Sequence, residues 1–62
     1  MATLRELRES NALSQRDLAR MAGVAVNTVL DAERGRRRPR PSTRRKLAKA
    51  LNVPPRDIDF SA

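Results

Sequence analysis

Eight basic side chains, Arg34, Arg36, Arg37, Arg38, Arg40, Arg44, Arg45 and Lys46, fall within thirteen residues that contain no acid. Charge runs often do no more than solvate a face, but so dense a run suits the clamping of phosphates. The rest of the chain offers little for covalent chemistry. It has no histidine, cysteine, tyrosine or tryptophan. That removes most general bases, metal ligands and nucleophiles, and it rules out a disulfide framework. Carboxylates, lysine and hydroxyls are left, on a chain too short to build a deep pocket. The residue types argue against an enzyme, a metal site or any other cofactor, and for a binding module.

Fourteen basic and seven acidic residues give a net charge of +7 and a pI near 11.7. A balance of that kind favours a polyanion, nucleic acid first and an anionic membrane surface second. The membrane reading fails on pattern. The charge sits mainly in a proline-interrupted stretch, not along one face of a long amphipathic helix. Apolar runs are only a few residues long and no apolar signal region opens the chain, so a cytoplasmic protein is expected. A single aromatic residue, Phe60, argues against RNA or single-strand binding, which needs several stacking platforms.

Sixty-two residues allow one small domain over residues 1–62. A chain of this size buries only about 60% of its unfolded surface, so stability must come from close helix packing. Residues 3–11 predict a first helix with Leu4 and Leu7 on its inner face. Thr3 is its N-cap, Glu6 the capping-box partner, and Asn11 a left-handed end. Ser14 caps a second helix from Gln15 to Met21 or Ala22, with Asp17 in its first turn and Leu18, Ala19 and Ala22 facing inward. Gly23 supplies the positive φ that ends it.

A third helix is expected from about Ala25 to Glu33 or Arg34, closed by Gly35. Val29 and Ala32 are its buried face, with Ala25 a further candidate, and Val24 anchors the turn before it. Val26, Asn27, Thr28, Leu30 and Asp31 are left outside. Arg36 to Arg40 form a basic connector. Pro41 opens a fourth helix to about Leu51, with Leu47, Ala48 and Leu51 inward and Asn52 stopping it. Pro54 and Pro55 begin a last short turn that folds Ile58 and Phe60 onto the core. No strand pattern of useful length is present. The expected fold is all-α, a compact bundle of five short helices. Residues 13–38 hold two of these helices joined at a glycine turn and leading into positive charge, as in a helix-turn-helix.

The segments LRELRESNALSQRDLARMAGV, NTVLDAERGRRRP and KLAKALNV together resemble the phage-repressor (Xre/Cro-type) helix-turn-helix family. The likeness runs from about Leu4 to Phe60. It rests on linked spacings: Leu-Ser-Gln opening one helix, Ala-x-x-Ala-Gly-Val at the turn, and Glu-Arg-Gly before the basic loop. It implies a lambda-repressor-like fold that binds double-stranded DNA, usually as a transcriptional repressor or regulator, with the third helix in the major groove. An α-helix has the right width for that groove.

Matched to the family pattern, Val26, Asn27 and Asp31 become base-edge residues, with Thr28 nearby. Asn27 can pair with adenine through both donor and acceptor, or be a solvated helix residue. Val26 offers only methyl groups to a thymine methyl. Asp31 repels phosphate. It helps only by accepting from a cytosine amino group or by orienting an arginine. The resemblance also implies a phosphate bond from Gln15, to which Ser14 adds a second contact. Arg36, Arg37, Arg38, Arg40 and Arg44 are the expected phosphate clamps. It further implies a structural ion pair between Arg8 and Glu33.

Two departures from the pattern stand out. Ala25 occupies a position where the family commonly has a serine or threonine cap, and Leu30 lies on a face that is often polar. A rival reading is an antitoxin-like or accessory protein-interaction module whose partner covers an exposed Leu30 and the Ile58–Phe60 region. Members of the class usually bind as two-fold dimers, so a homodimer on DNA is also implied.

Overall fold

The computed structural model describes residues 2–60. Its elements in order are β1 (Ala2–Thr3), α1 (Leu4–Ser10), α2 (Gln15–Ala22), α3 (Val26–Arg34), α4 (Pro41–Ala50), a single 3-10 turn (Pro55–Asp57) and β2 (Ile58–Asp59). There are four α-helices among the described residues, one fewer than expected. The fifth shortens to the 3-10 turn because Pro54 and Pro55 bring no N–H groups and the helical geometry lasts only three residues before the chain extends. The extended end forms a strand. Ile58 and Asp59 pair in parallel with Ala2 and Thr3, which closes the two ends of the described chain against each other. Two-residue strands have no periodicity to betray them in a sequence.

Helix starts divide into two kinds. At α1 the Glu6 N–H donates to Thr3 Oγ1 (3.1 Å) and the Thr3 N–H donates to Glu6 Oε1 (2.9 Å). At α2 the Asp17 N–H donates to Ser14 Oγ (2.9 Å) and the Ser14 N–H to Asp17 Oδ2 (3.0 Å), so Asp17 completes a capping box. The Thr3 and Ser14 backbone N–H groups, followed by their hydroxyls, hold the Glu6 and Asp17 carboxyls below their ordinary range. Both boxes therefore support the fold fully above that range and lose their contribution as the pH falls through it. In contrast, α3 begins after Ala25 and α4 after Arg40, with no side-chain cap and no acid in the first turn of either.

All four helices end in the same way. A left-handed residue (Ala12, Gly23, Gly35 or Asn52) is followed by one whose N–H returns to a carbonyl five residues earlier. The bonds are Leu13 to Arg8, Val24 to Ala19, Arg36 to Asp31 and Val53 to Ala48, at 3.0 to 3.2 Å. In three cases the closing residue is apolar (Leu13, Val24 or Val53) and packs against the core. The fourth is Arg36, which is exposed. The chain thus leaves every helix toward the core except α3, where it leaves toward solvent and into the basic loop.

At the first of these ends the left-handed residue is Ala12 (φ 56°), not Asn11 (φ −96°). Asn11 serves the helix end differently: its Nδ2 donates to the Leu7 carbonyl at 2.7 Å.

The core is shared among the elements. Leu4 from α1, Leu18, Ala19 and Ala22 from α2, Val29 and Ala32 from α3, and Leu47 and Ala48 from α4 are buried, with Leu51 below α4. The alanines on α2 let α3 and α4 approach it closely. Ala25, a further candidate for the inner face of α3, is exposed, because it precedes the helix in extended geometry. Ile58 and Phe60 are buried at 3% and 9% exposure, and Leu30 is half-buried. The domain itself thus covers most of Ile58 and Phe60 and part of Leu30, the residues assigned to a covering partner in the rival reading; only edges of Ile58 and Phe60 reach a surface groove. Met21 is the large hydrophobic residue left exposed among the described residues.

A left-handed alanine costs about 1 kcal/mol or more that glycine avoids, partly offset by glycine's looser unfolded chain. Ala12→Gly should therefore raise the unfolding free energy by roughly 0.5–1 kcal/mol, read from urea midpoints at constant slope.

Candidate nucleic-acid interface

Helix α3 turns Val29 and Ala32 fully inward; Val26, expected on the outside, is instead half-buried against the core, because it lies one turn before Val29 and Leu30 on the flank of the inner face. With those three facing the interior, the opposite side carries Asn27, exposed, and Thr28 and Asp31, each half-buried. Asn27 and Asp31 lie four residues apart, one turn along the same face. Gly23 (φ 71°, ψ 36°) makes the turn before the helix in the left-handed region, where a Cβ is strained. Gly35 (φ 69°) does the same after it and sends the chain sideways into the arginines.

Thr28 and Asp31 share one open cleft with Arg37, Arg38, Pro39, Arg40 and Thr43. The loop between α3 and α4 thus folds back beside the outer face of α3, and its arginines flank that face. Arg36, Arg37, Arg38 and Arg40 are exposed; Arg44 is half-buried on α4. The Asp31 carboxylate makes no ion pair among the described residues although three arginines line its cleft. Its lone pairs are available to an incoming donor.

Near the end of α3, on another side of the helix, Glu33 belongs to a buried polar knot. Arg8 Nε donates to Glu33 Oε2 at 2.6 Å, and Arg8 Nη2 to Glu33 Oε1 at 3.2 Å, a two-pronged pair. Arg8 Nη1 donates to the Leu13 carbonyl at 2.8 Å. The two side chains are only 11% and 4% exposed. Hydrogen bonding to Glu33 raises the Arg8 guanidinium further above its ordinary value. The knot joins α1, the connector after it and the last turn of α3.

A third partner is not legible in the sequence. Gln15 Nε2 donates to Glu33 Oε1 at 3.1 Å, tying the first residue of α2 to the same carboxylate. Nothing in the spacing of residues 15 and 33 signals this, since it depends on the angle between α2 and α3. The bond uses one amide hydrogen of Gln15. The second hydrogen and the amide oxygen have no partner among the described residues. Ser14, exposed beside it, accepts from the Asp17 N–H and keeps its hydroxyl proton to donate. Ser14, Gln15 and Arg34 line a second cleft, next to the knot.

A family model for helix-turn-helix domains matches residues 4–58, nearly the whole described chain. The chain belongs to the Cro/C1-type helix-turn-helix family. In helix-turn-helix terms α2 is the first helix of the motif, Gly23 to Ala25 the turn, and α3 the second helix. The chain is accordingly a DNA-binding helix-turn-helix domain of the class that regulates transcription. No curated protein and no solved structure matches it.

Removing one partner from a buried pair strands the other charge, which costs about 3–5 kcal/mol. Glu33→Ala should lower the unfolding free energy by that order, whereas Arg37→Ala in the exposed loop should change it by less than about 0.5 kcal/mol. Chemical denaturation of the two variants beside the parent measures both. Near-equal losses would mean that the knot does not hold the helix-turn-helix together.

Proposed function

We propose that this domain is a sequence-specific binder of double-stranded DNA that acts as a transcriptional repressor, lying on its operator with α3 in the major groove. The observation that carries the reading is the outward face of α3 flanked on one side by the guanidinium groups of its own following loop. Side chains at the front of such a helix reach base edges, and the cations beside it meet the phosphates that border the groove.

Asn27 is the principal base reader, donating to and accepting from adenine. Asp31, with no cation bound to it, accepts from the amino group of cytosine, and its charge rejects placements that bring phosphate against it. Thr28 adds a hydroxyl and a methyl. The part of Val26 left outside touches a thymine methyl. Ser14 and the free hydrogen of Gln15 hold one phosphate. Arg36, Arg37, Arg38, Arg40 and Arg44 hold others. The starts of α3 and α4, which have no side-chain caps, offer further backbone N–H groups.

Two copies on half-sites about 34 Å apart would present two such faces to successive turns of the groove, so the bound form is a two-fold dimer assembled on DNA. The same reading puts the protein in the cytoplasm. No helix among the described residues is long and apolar enough to cross a membrane.

Five arginines on phosphates give an expected slope of about −4.5 per domain for log affinity against log salt concentration. Arg37→Ala should flatten that slope by roughly one unit at every sequence. Asn27→Ala should leave the slope unchanged and cost about 1–3 kcal/mol at one base pair only. Binding titrations over a salt series, on duplexes selected from a random pool, separate the two effects. A slope near zero, or a pool with no preferred sequence, would contradict the reading.

A further inference from the structure

Around from the α3 cleft, the start of α4 faces the 3-10 turn and β2 across a groove of about 410 Å³. Pro41, Arg44 and Arg45 lie three and four residues apart, so they present one face of α4 to it. Arg38 reaches it from the loop and Arg56 from the 3-10 turn. Its lining holds four guanidinium groups and one carboxylate, Asp59. The rest of the lining is apolar: Pro41 from α4, Pro55 from the 3-10 turn, and Ile58 and Phe60.

That combination narrows the occupant. Phosphodiesters use cations but gain nothing from an apolar lining. A stacked base needs an open aromatic face, and Phe60 is only 9% exposed. A second copy of the chain brings another +7 to an already positive rim. A protein segment with carboxylates on either side of an apolar side chain uses both features, since guanidinium groups take carboxylates in the forked geometry they prefer.

We propose that this groove docks an acidic, apolar-anchored segment of a partner protein, and that docking loosens the hold on DNA. The anchor sits between Pro41 and Pro55, with its flanking carboxylates on Arg38, Arg44, Arg45 and Arg56. Arg38 also lines the cleft beside α3, so one guanidinium is shared between the two surfaces. An occupant that engages Arg38 and Arg44 withdraws them from phosphates. By linkage, DNA and the segment then weaken each other's binding by the same factor.

Peptide docking in the groove does not depend on the repressor reading; the loosening of DNA rests on it, through the phosphate contacts of Arg38 and Arg44. The probe is a fluorescein-labelled synthetic peptide of alternating glutamate and leucine, beside one with serine in place of leucine at equal charge. Arg45 and Arg56 are exposed and stand outside the proposed phosphate contacts. The double variant R45A/R56A should bind the leucine peptide roughly tenfold more weakly than the parent. Its affinity for a mixed-sequence duplex at low salt should fall no more than that of R20A/K49A, which loses the same charge at two exposed positions outside the three clefts. The leucine peptide should also compete with the duplex for the parent protein, and the serine peptide should bind far less tightly. Equal binding of the two peptides, or peptide affinity unchanged in R45A/R56A, overturns the proposal. So does a selective loss of duplex binding in R45A/R56A, which would assign the groove to the DNA backbone. Failure of the peptides with normal salt-dependent duplex binding would sink this proposal and leave the repressor reading standing.

Discussion

Both oxygens of Glu33 and three nitrogens of Arg8 are engaged within a region the solvent barely reaches. Charges moved out of water are tolerated only where their geometry is nearly complete, so this pair leaves little freedom to the elements that carry it. One end is on α1. The other is in the last turn of α3, twenty-five residues away in the chain. The Leu13 carbonyl and the Gln15 amide bring in the connector and the start of α2. Hydrophobic burial supplies the drive to collapse, but the apolar residues on α3, Val29 and Ala32, would accept a range of rotations about its axis. The knot selects one, and that choice decides which side chains of α3 face outward.

A second constraint concerns where helix ends are satisfied internally and where they are not. The starts of α1 and α2 are closed by reciprocal boxes, Thr3 with Glu6 and Ser14 with Asp17. Those of α3 and α4 are left without side-chain caps, and no acid lies in their first turns. At the other ends, three of four closures bury an apolar residue and the fourth exposes Arg36. The open starts, the outward-leaving chain and the arginines belong to the segment running from Ala25 to Arg45. Local stability has been given up where positive ends of helices and guanidinium groups favour an anion.

Much of this can be read from the residues themselves, because the signals act over three or four positions. Thr3 with Glu6, Ser14 before Gln15, Gly23, Gly35, Pro41 and Asn52 each mark a helix end through local chemistry, and the structure has boundaries within a residue or two of them. Helix periodicity likewise picks out Leu18, Val29 and Leu47 as core. The features that escape such a reading depend on distance in the chain or on weak propensity. The β1–β2 pairing joins residues 2 and 58 through two-residue strands. Ala12 takes the left-handed position because Leu13 must reach the core, whatever Asn11 prefers. The Gln15–Glu33 bond follows from an interhelical angle that no local pattern encodes.

The proposed function turns on one surface, the outer side of α3 with the loop beside it, meeting a duplex. Backbone and side-chain amide resonances mapped by NMR while a selected duplex is titrated in would test that most directly. The largest shifts should fall on Asn27, including its side-chain amide, and on Thr28, Asp31, Ser14, Gln15 and residues 36–40. The outer positions of α1, Glu6 and Glu9, should stay unmoved. Shifts concentrated on α1 or on the groove at Arg45 and Arg56, with Asn27 unchanged, would contradict it.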